Sequence, residues 1–245
     1  MRRQELFRKE FLGNVSHELK TPIFNLTGYI HTLLDGALYD PDVNVKFLEK
    51  AAKSADRMSA LVEDLISISQ LESGQLKMEP ESYDINEQVH EIFEQLEIRA
   101  RDRKINLMVK DGCDTNMPVY ADKYRIRQVL VNLIINAIQY GKDEGQITLA
   151  YYDMGENILV EVADVGEGID KEHLSRLFER FYRVDKARSR DEGGAGLGLA
   201  IVKHIIEAHG QTINVRSTKG VGTTFGFTLA RNAEIYQKQI ALIKG

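Results

Sequence analysis

The chain has 245 residues, 43% apolar and 28% charged, with a net charge of -5 and a single cysteine. These values fit one large or two modest soluble domains, and they exclude an intramolecular disulfide, a cysteine-rich metal site and the basic face that nucleic-acid binding requires. No apolar run approaches the roughly 18 residues of a membrane span, and MRRQELFRKE lacks the apolar segment of a signal peptide, so a reducing, cytoplasmic setting is expected.

Apolar residues at Leu12, Val15, Leu19, Ile23, Leu26, Ile30 and Leu33 recur in steps of three and four, a spacing that predicts one long helix. It begins at about Arg2 without a capping residue, as though continuous with a longer helix. Gly36 and the Asp40-Pro41 pair interrupt the pattern, and Leu48, Ala51, Ala55, Met58, Val62 and Leu65 predict a second long helix. Two such helices bury only part of each other, so a homodimeric four-helix bundle is expected over residues 1–76. ESGQLKMEPES, with Gly74 and Pro80, reads as a hinge centred on residues 77–82.

From Asp84 the texture changes. Asp84 or Asn86 can cap a helix running to about Arg103, INLMV and PVYA read as short strands, and Asp122 opens a helix through Tyr140. QITLAYYDM and NILVEVADV read as strands joined by a turn around Gly155, and TINVRST and TTFGFTL repeat the strand signal around Gly220 and Gly222. Helices and largely antiparallel strands without βαβ regularity predict an α+β sandwich over residues 83–231, with helices on one face of a sheet. Residues 232–245 read as a tail.

At 100° per residue, His17 and Thr21 point away from the apolar seam of the first helix, so the imidazole faces water. Pro22 lacks the N–H that would bond the Glu18 carbonyl, and a bend costing about 3 kcal/mol is expected beside the His17-Glu18 pair. Neither a P-loop nor a dinucleotide fingerprint occurs. RQVLVNLIINAIQYGK instead places Asn132 and Asn136 four residues apart on an otherwise apolar helix, where carboxamide oxygens suit Mg2+ beside phosphate. Asp164 ends an apolar strand in DVGEGI, and Gly193, Gly194, Gly196 and Gly198 form a loop that aims backbone N–H groups at an anion. Residues 170–192 read as a mobile lid whose Arg180, Arg183, Lys186, Arg188 and Arg190 can face phosphate.

SHELKTPI, Ser16 to Ile23, resembles the phosphoacceptor box of bacterial sensor histidine kinases. The asparagine helix, DVGEGI, LFERFYRVD, GGAGLGLAIVK and GVGTTF follow in the order of that family's nucleotide boxes, within the ATP-binding fold shared with gyrase and heat-shock chaperone ATPases. The resemblance implies that His17 accepts the γ-phosphate of ATP, Glu18 supports the ring and Thr21 orients water for a phosphatase reaction. It implies a nucleotide site of Asn132, Asn136, Tyr140, Lys142, Asp164, Gly166, Gly168, Gly194, Gly196, Leu197, Gly198 and Thr223, with Asn132 and Asn136 holding Mg2+ and Asp164 the adenine. A response-regulator receiver domain is the implied partner, and sensor and membrane segments are expected upstream. Gln139 stands where the family usually has Lys, so one phosphate contact is expected to be lost or taken over by Lys142. Ala195 stands where Thr or Ser is common. A kinase-dead nucleotide-binding scaffold and an ATPase-switch dimer are the alternative readings.

Overall fold

The three-and-four spacing becomes two helices, α1 (Arg2–Leu34) and α2 (Asn44–Glu72), in a computed structural model that describes residues 2–72, 77–184 and 194–244. They fold back on each other as a hairpin through Gly36, whose φ of 123° suits glycine, and a short 3-10 turn at Ala37–Tyr39. Tyr29 meets Phe47 with ring centroids 6.1 Å apart, and Leu33, Ala51, Leu61 and Ile68 are buried. α1 runs unbroken through Pro22, which is itself buried, so packing in the hairpin offsets the missing hydrogen bond. The apolar stripe is wider than one partner covers. Leu12, Ile23, Ile30, Leu48 and Val62, all in the expected seams, stay exposed, with Leu12 at 57% and Leu48 at 52%.

Residues 77–184 and 196–244 form a second unit built on a seven-stranded sheet. Its strands are β1 (Glu81–Asp84), β2 (Asn106–Val109), β3 (Pro118–Ala121), β4 (Gln146–Asp153), β5 (Asn157–Asp164), β6 (Ile213–Thr218) and β7 (Gly222–Ala230). The order is β1-β3-β7-β5-β4-β2, with β6 also paired to β7. All pairs are antiparallel except β2 with β4. Strand β1 starts within the stretch read as hinge, and its short ESYD sequence carries no strong strand signal.

Alternation along the long strands decides which face is inside. Ile158, Val160 and Val162 of β5 and Phe225, Phe227 and Leu229 of β7 point into the core, whereas Glu161 on the other face pairs with Arg216 at 2.6 Å. Helices α3 (Ile85–Asp102), α4 (Lys123–Tyr140) and α6 (Gly198–Ala208) bury Ile92, Leu96, Leu133, Ile134, Ile201 and Ile205. Asp84 caps α3 by accepting from the Asn86 N–H at 2.9 Å, and Asp122 caps α4 by accepting from the Arg125 N–H at 3.0 Å. The other carboxylate oxygen of Asp122 accepts the Glu79 N–H at 3.0 Å, tying the linker to the unit. A single turn, α5 (Lys171–Leu174), opens the stretch read as a lid, of which residues 185–193 lie outside the described residues.

The tail is a helix, α7 (Ala233–Lys244). Its Tyr236 is buried against Tyr120 and His209, with ring centroids 5.5 and 6.2 Å away, and Gln239 bonds Gln211 and Asn157 at 2.5 and 3.0 Å.

His209, wholly buried after α6, accepts the Asp122 N–H at Nε2 (3.0 Å) and donates from Nδ1 to the Ile205 carbonyl (2.8 Å). Burial lowers its pKa, opposed by the Ile205 hydrogen bond and the Asp122 charge; the Tyr236 ring packs edge-on against it. A depressed histidine pKa means that the folded state favours the neutral ring. Its contribution is complete above the unfolded value of about 6.5 and declines as pH falls below it. The melting temperature of the chain should therefore drop from pH 7.5 to pH 5.5, with a shallower slope in His209→Gln; equal slopes would refute this assignment.

Candidate active site

The expected site residues fall in both units. In the hairpin, His17 and Thr21 are exposed on one face of α1, and Ser16 Oγ bonds the Leu12 carbonyl at 2.8 Å. The Glu18 carboxylate is half-buried and lies 3.8 Å from the Arg57 guanidinium of α2. The exposed imidazole offers a ring nitrogen to solvent, next to a carboxylate that faces Arg57 of α2.

In the second unit, α4 carries half-buried Asn132 and Asn136, and Asn132 meets the start of α6. A Cβ placed on Gly198 would lie 3.2 Å from Asn132 Oδ1, so the carboxamide is packed against the first residue of α6. Among the described residues no side chain caps the start of α6. Its first N–H groups therefore point into a region suited to an anion, with the positive end of the helix dipole behind them. Leu197, just before, is wholly buried and anchors the loop by its side chain. Gly196, at φ 73°, packs against the backbone of Phe181 and Tyr182, and a Cβ there would lie 2.9 Å from the Phe181 carbonyl carbon. Phe181 itself adopts φ 60° and donates its N–H to the Gly196 carbonyl at 2.8 Å. Gly194 meets nothing among the described residues within 4 Å at the Cβ position.

At the other end of the site, Asp164 closes β5 beside Thr223 of β7. Burial raises its pKa to about 6, against hydrogen bonds from the Thr223 and Gly166 N–H groups. A half-buried carboxylate with few protein donors is suited to accept from a ligand. Gly166 is sterically required: a Cβ would stand 2.4 Å from the Tyr140 carbonyl oxygen and 2.7 Å from Asp164 Oδ1. Gly168, at φ 63°, would bring a Cβ to 2.0 Å from the Thr218 carbonyl oxygen. The turn is held by Ser217, whose Oγ accepts the Ile169 N–H (2.8 Å), donates to the Gly222 carbonyl (2.9 Å) and lies 2.9 Å from Thr223 Oγ1. Sequence reasoning missed Ser217, because its strand position only becomes meaningful when β6 pairs with β7.

Tyr140 is the exposed last residue of α4, and Lys142 lies beyond the helix end with an exposed side chain, its N–H bonded to the Val165 carbonyl at 3.2 Å. Gln139, three residues after Asn136 on the same side of α4, has its amide nitrogen buried with no hydrogen-bond partner among the described residues. Arg180 reaches His204 of α6, Nη2 to Nε2 3.2 Å. Gly193, Lys186, Arg188 and Arg190 lie outside the described residues.

A hairpin presenting an exposed histidine, joined in one chain to a sandwich with an asparagine-bearing helix and a glycine cradle, defines a phosphoacceptor domain with an ATPase-type catalytic domain. The His Kinase A (phospho-acceptor) domain model matches residues 7–74, and that of the histidine kinase-, DNA gyrase B- and HSP90-like ATPases matches residues 121–233. Sensor histidine kinase WalK of Bacillus subtilis is 37% identical over 230 residues, covering 93% of this chain and 37% of that protein. The structure of histidine kinase AdeS of Acinetobacter baumannii superposes with a TM-score of 0.72 at 30% identity, covering 89% of this chain and 98% of that one. Histidine kinase ThkA in complex with response regulator protein TrrA gives a TM-score of 0.75 at 26% identity, covering 95% of this chain and 64% of that one. The chain belongs to the sensor histidine kinases. Among the described residues no helix is long and apolar enough to cross a membrane.

Proposed function

We propose that the chain is the kinase portion of a two-component sensor, phosphorylating itself on His17 from ATP and passing the phosphoryl group to an aspartate of a response-regulator receiver domain. The observation that carries this reading is an exposed imidazole in SHELKTPI within the same chain as a glycine-lined site with Asp164 at one end and an uncapped α6 at the other. Asp164 accepts the adenine amino group, Gly166 and Gly168 admit the base, and the start of α6 receives the phosphates. Among the described residues no cluster of three or more His, Cys, Asp or Glu side chains is arranged to hold a metal ion. Asn132 and Asn136 would hold Mg2+ through their carboxamide oxygens, beside the substrate phosphates. When bound, it neutralises charge on the phosphates. The Gln139 amide, unpaired and buried, supplies a neutral donor on the same side of α4.

In the transfer, the lone pair of His17 Nε2 forms a bond to the γ-phosphorus as the bond to the β,γ-bridging oxygen breaks and ADP departs. Glu18 accepts a hydrogen bond from the Nδ1–H, holding the tautomer that leaves Nε2 free. Thr21, one turn along the same exposed face, orients water for removing phosphate from the regulator. Protein incubated with γ-labelled ATP and Mg2+ should acquire acid-labile, base-stable label mapping to His17. Label on another residue, or phosphate released only to water, would replace this reading with the ATPase switch.

The exposed Leu12, Ile23, Ile30, Leu48 and Val62 support a homodimer in which two hairpins form a four-helix bundle. Burying each such side chain contributes about 1.5–3 kcal/mol, so two charges in the stripe should abolish association. Light scattering should give twice the chain mass for the wild type and the single-chain mass for the Leu48→Glu, Val62→Glu variant; a variant that stays dimeric would refute this interface.

A further inference from the structure

The loop of residues 141–145 joins α4 to β4 and is stitched on both sides. On one side lies the turn from α3 to β2: the Arg103 carbonyl accepts the Glu144 N–H at 3.1 Å, the Gly145 carbonyl accepts the Asn106 N–H at 3.0 Å, and Lys104 Nζ meets Glu144 Oε1 at 2.6 Å. Lys104 and Glu144 hold φ values of 54° and 61°, a left-handed backbone that non-glycine residues adopt at a cost, so this junction is defined by its tertiary contacts. On the other side lies the turn that carries Asp164: Gly141 and Gly166 form an antiparallel bridge, and the Lys142 N–H bonds the Val165 carbonyl at 3.2 Å.

Arg103 crosses between the two sides. Its Nη1 donates to the carbonyls of Ile138 and of Gln139, the latter at 2.6 Å, and its Nη2 donates to the Gly141 carbonyl at 3.2 Å. Its Nε donates to Asp143 Oδ1 at 2.7 Å. The last carbonyls of a helix have no intrahelical donor and carry the negative end of its dipole. Only 27% of the Arg103 side chain is exposed, so its guanidinium meets these carbonyls with limited screening. The carbonyl of Tyr140, between these partners, is the atom a Cβ on Gly166 would strike at 2.4 Å. The end of α4 and the Asp164–Gly166 turn thus leave no room between them for a methyl group, and the Gly141–Gly166 bridge couples their positions.

We propose that Arg103 is a positioning residue for the adenine end of the nucleotide site, clamping the end of α4 against the Asp164–Gly166 turn and thereby setting nucleotide affinity and the preference for adenine over guanine. The proposal rests on the reading of Asp164 as the acceptor for the adenine amino group. A carboxylate there accepts from that amino group and repels the carbonyl oxygen that guanine presents in its place. The selectivity survives only while the carboxylate is held in position.

The test uses the whole chain and measures ATP and GTP affinity by competition against a fluorescent nucleotide, with His17 labelling and thermal melting in parallel. Arg103→Gln should weaken ATP about tenfold, the loss expected for one charge-assisted hydrogen bond, and weaken GTP less, so that the ATP/GTP ratio narrows. In the labelling reaction the change should fall mainly on KM for ATP rather than kcat. Arg103→Lys should recover part of the ratio, because it restores the charge without the fork. Asp143→Asn, at an exposed partner, should shift the ratio in the same direction by less and serves if Arg103→Gln does not fold. Lower melting with an unchanged ATP/GTP ratio in both Arg103→Gln and Asp143→Asn would assign Arg103 a purely structural role and overturn the proposal. Asp164→Asn separates the two layers. If it collapses the ratio while Arg103→Gln leaves it intact, only the clamp fails; if it leaves the ratio intact, the adenine reading fails and the proposal with it.

Discussion

His17→Gln protein should bind ATP with the affinity of the wild type and acquire no acid-labile label. Both halves of that expectation follow from where the groups sit. His17 is exposed on a helical hairpin, while the residues expected to hold the nucleotide, Gly194 apart, lie on a separate sheet-based unit. Glutamine keeps a polar side chain of similar reach but has no ring nitrogen with an available lone pair, so the N–P bond has no nucleophile. The helix is left intact, since glutamine is a good helix former. The loss should therefore reach the background of the assay rather than a fractional decrease. Thr21→Ala should retain the label and lose dephosphorylation of a phosphorylated receiver domain. Residual acid-labile label in His17→Gln would show that another histidine is the acceptor, and loss of nucleotide binding would mean that the two units are not independent in this respect.

Gly166→Ala should abolish measurable nucleotide binding at concentrations that saturate the wild type. The added methyl would overlap the Tyr140 carbonyl oxygen at 2.4 Å and Asp164 Oδ1 at 2.7 Å. One of these atoms is backbone at the end of α4 and cannot move without disturbing the Gly141 bridge; the other is the carboxylate itself. Either movement misplaces the acceptor, and a misplaced, half-buried carboxylate is worse than none because its desolvation is no longer compensated. Gly226→Ala provides the contrast. Its added methyl would meet Leu159 and Glu161 side-chain atoms at 3.5 and 3.6 Å, ordinary contact distances, so nucleotide affinity should stay unchanged. Equal affinities for the two variants would refute the close packing of the turn against α4.

Pattern and punctuation determined much of this protein. The three-and-four spacing, the Asp84 and Asp122 caps and the alternating strands became elements within a residue or two of expectation, because each depends on neighbours a few positions away. The phosphoacceptor string was legible for the same reason, as a set of adjacent residues on one helix. Asp164 and the two glycines after it were visible as the end of an apolar strand. Their steric necessity was not, since it arises from the Tyr140 carbonyl on α4 for Gly166 and from the Thr218 carbonyl on β6 for Gly168, both more than twenty positions away.

What only the tertiary structure decided depends on partners distant in the chain. Helix α7 has a modest pattern of its own and reads as a tail until Tyr236 is seen against Tyr120 and His209. Strand β1 is four residues long and exists because β3 supplies its hydrogen bonds. Arg103 and Ser217 resemble any surface arginine and strand serine in the sequence, yet one closes the end of α4 and the other ties the turn beside Asp164. Local propensity acts over one or two turns, whereas backbone carbonyls left open at a helix end or a turn are completed by whatever side chain the fold brings to them.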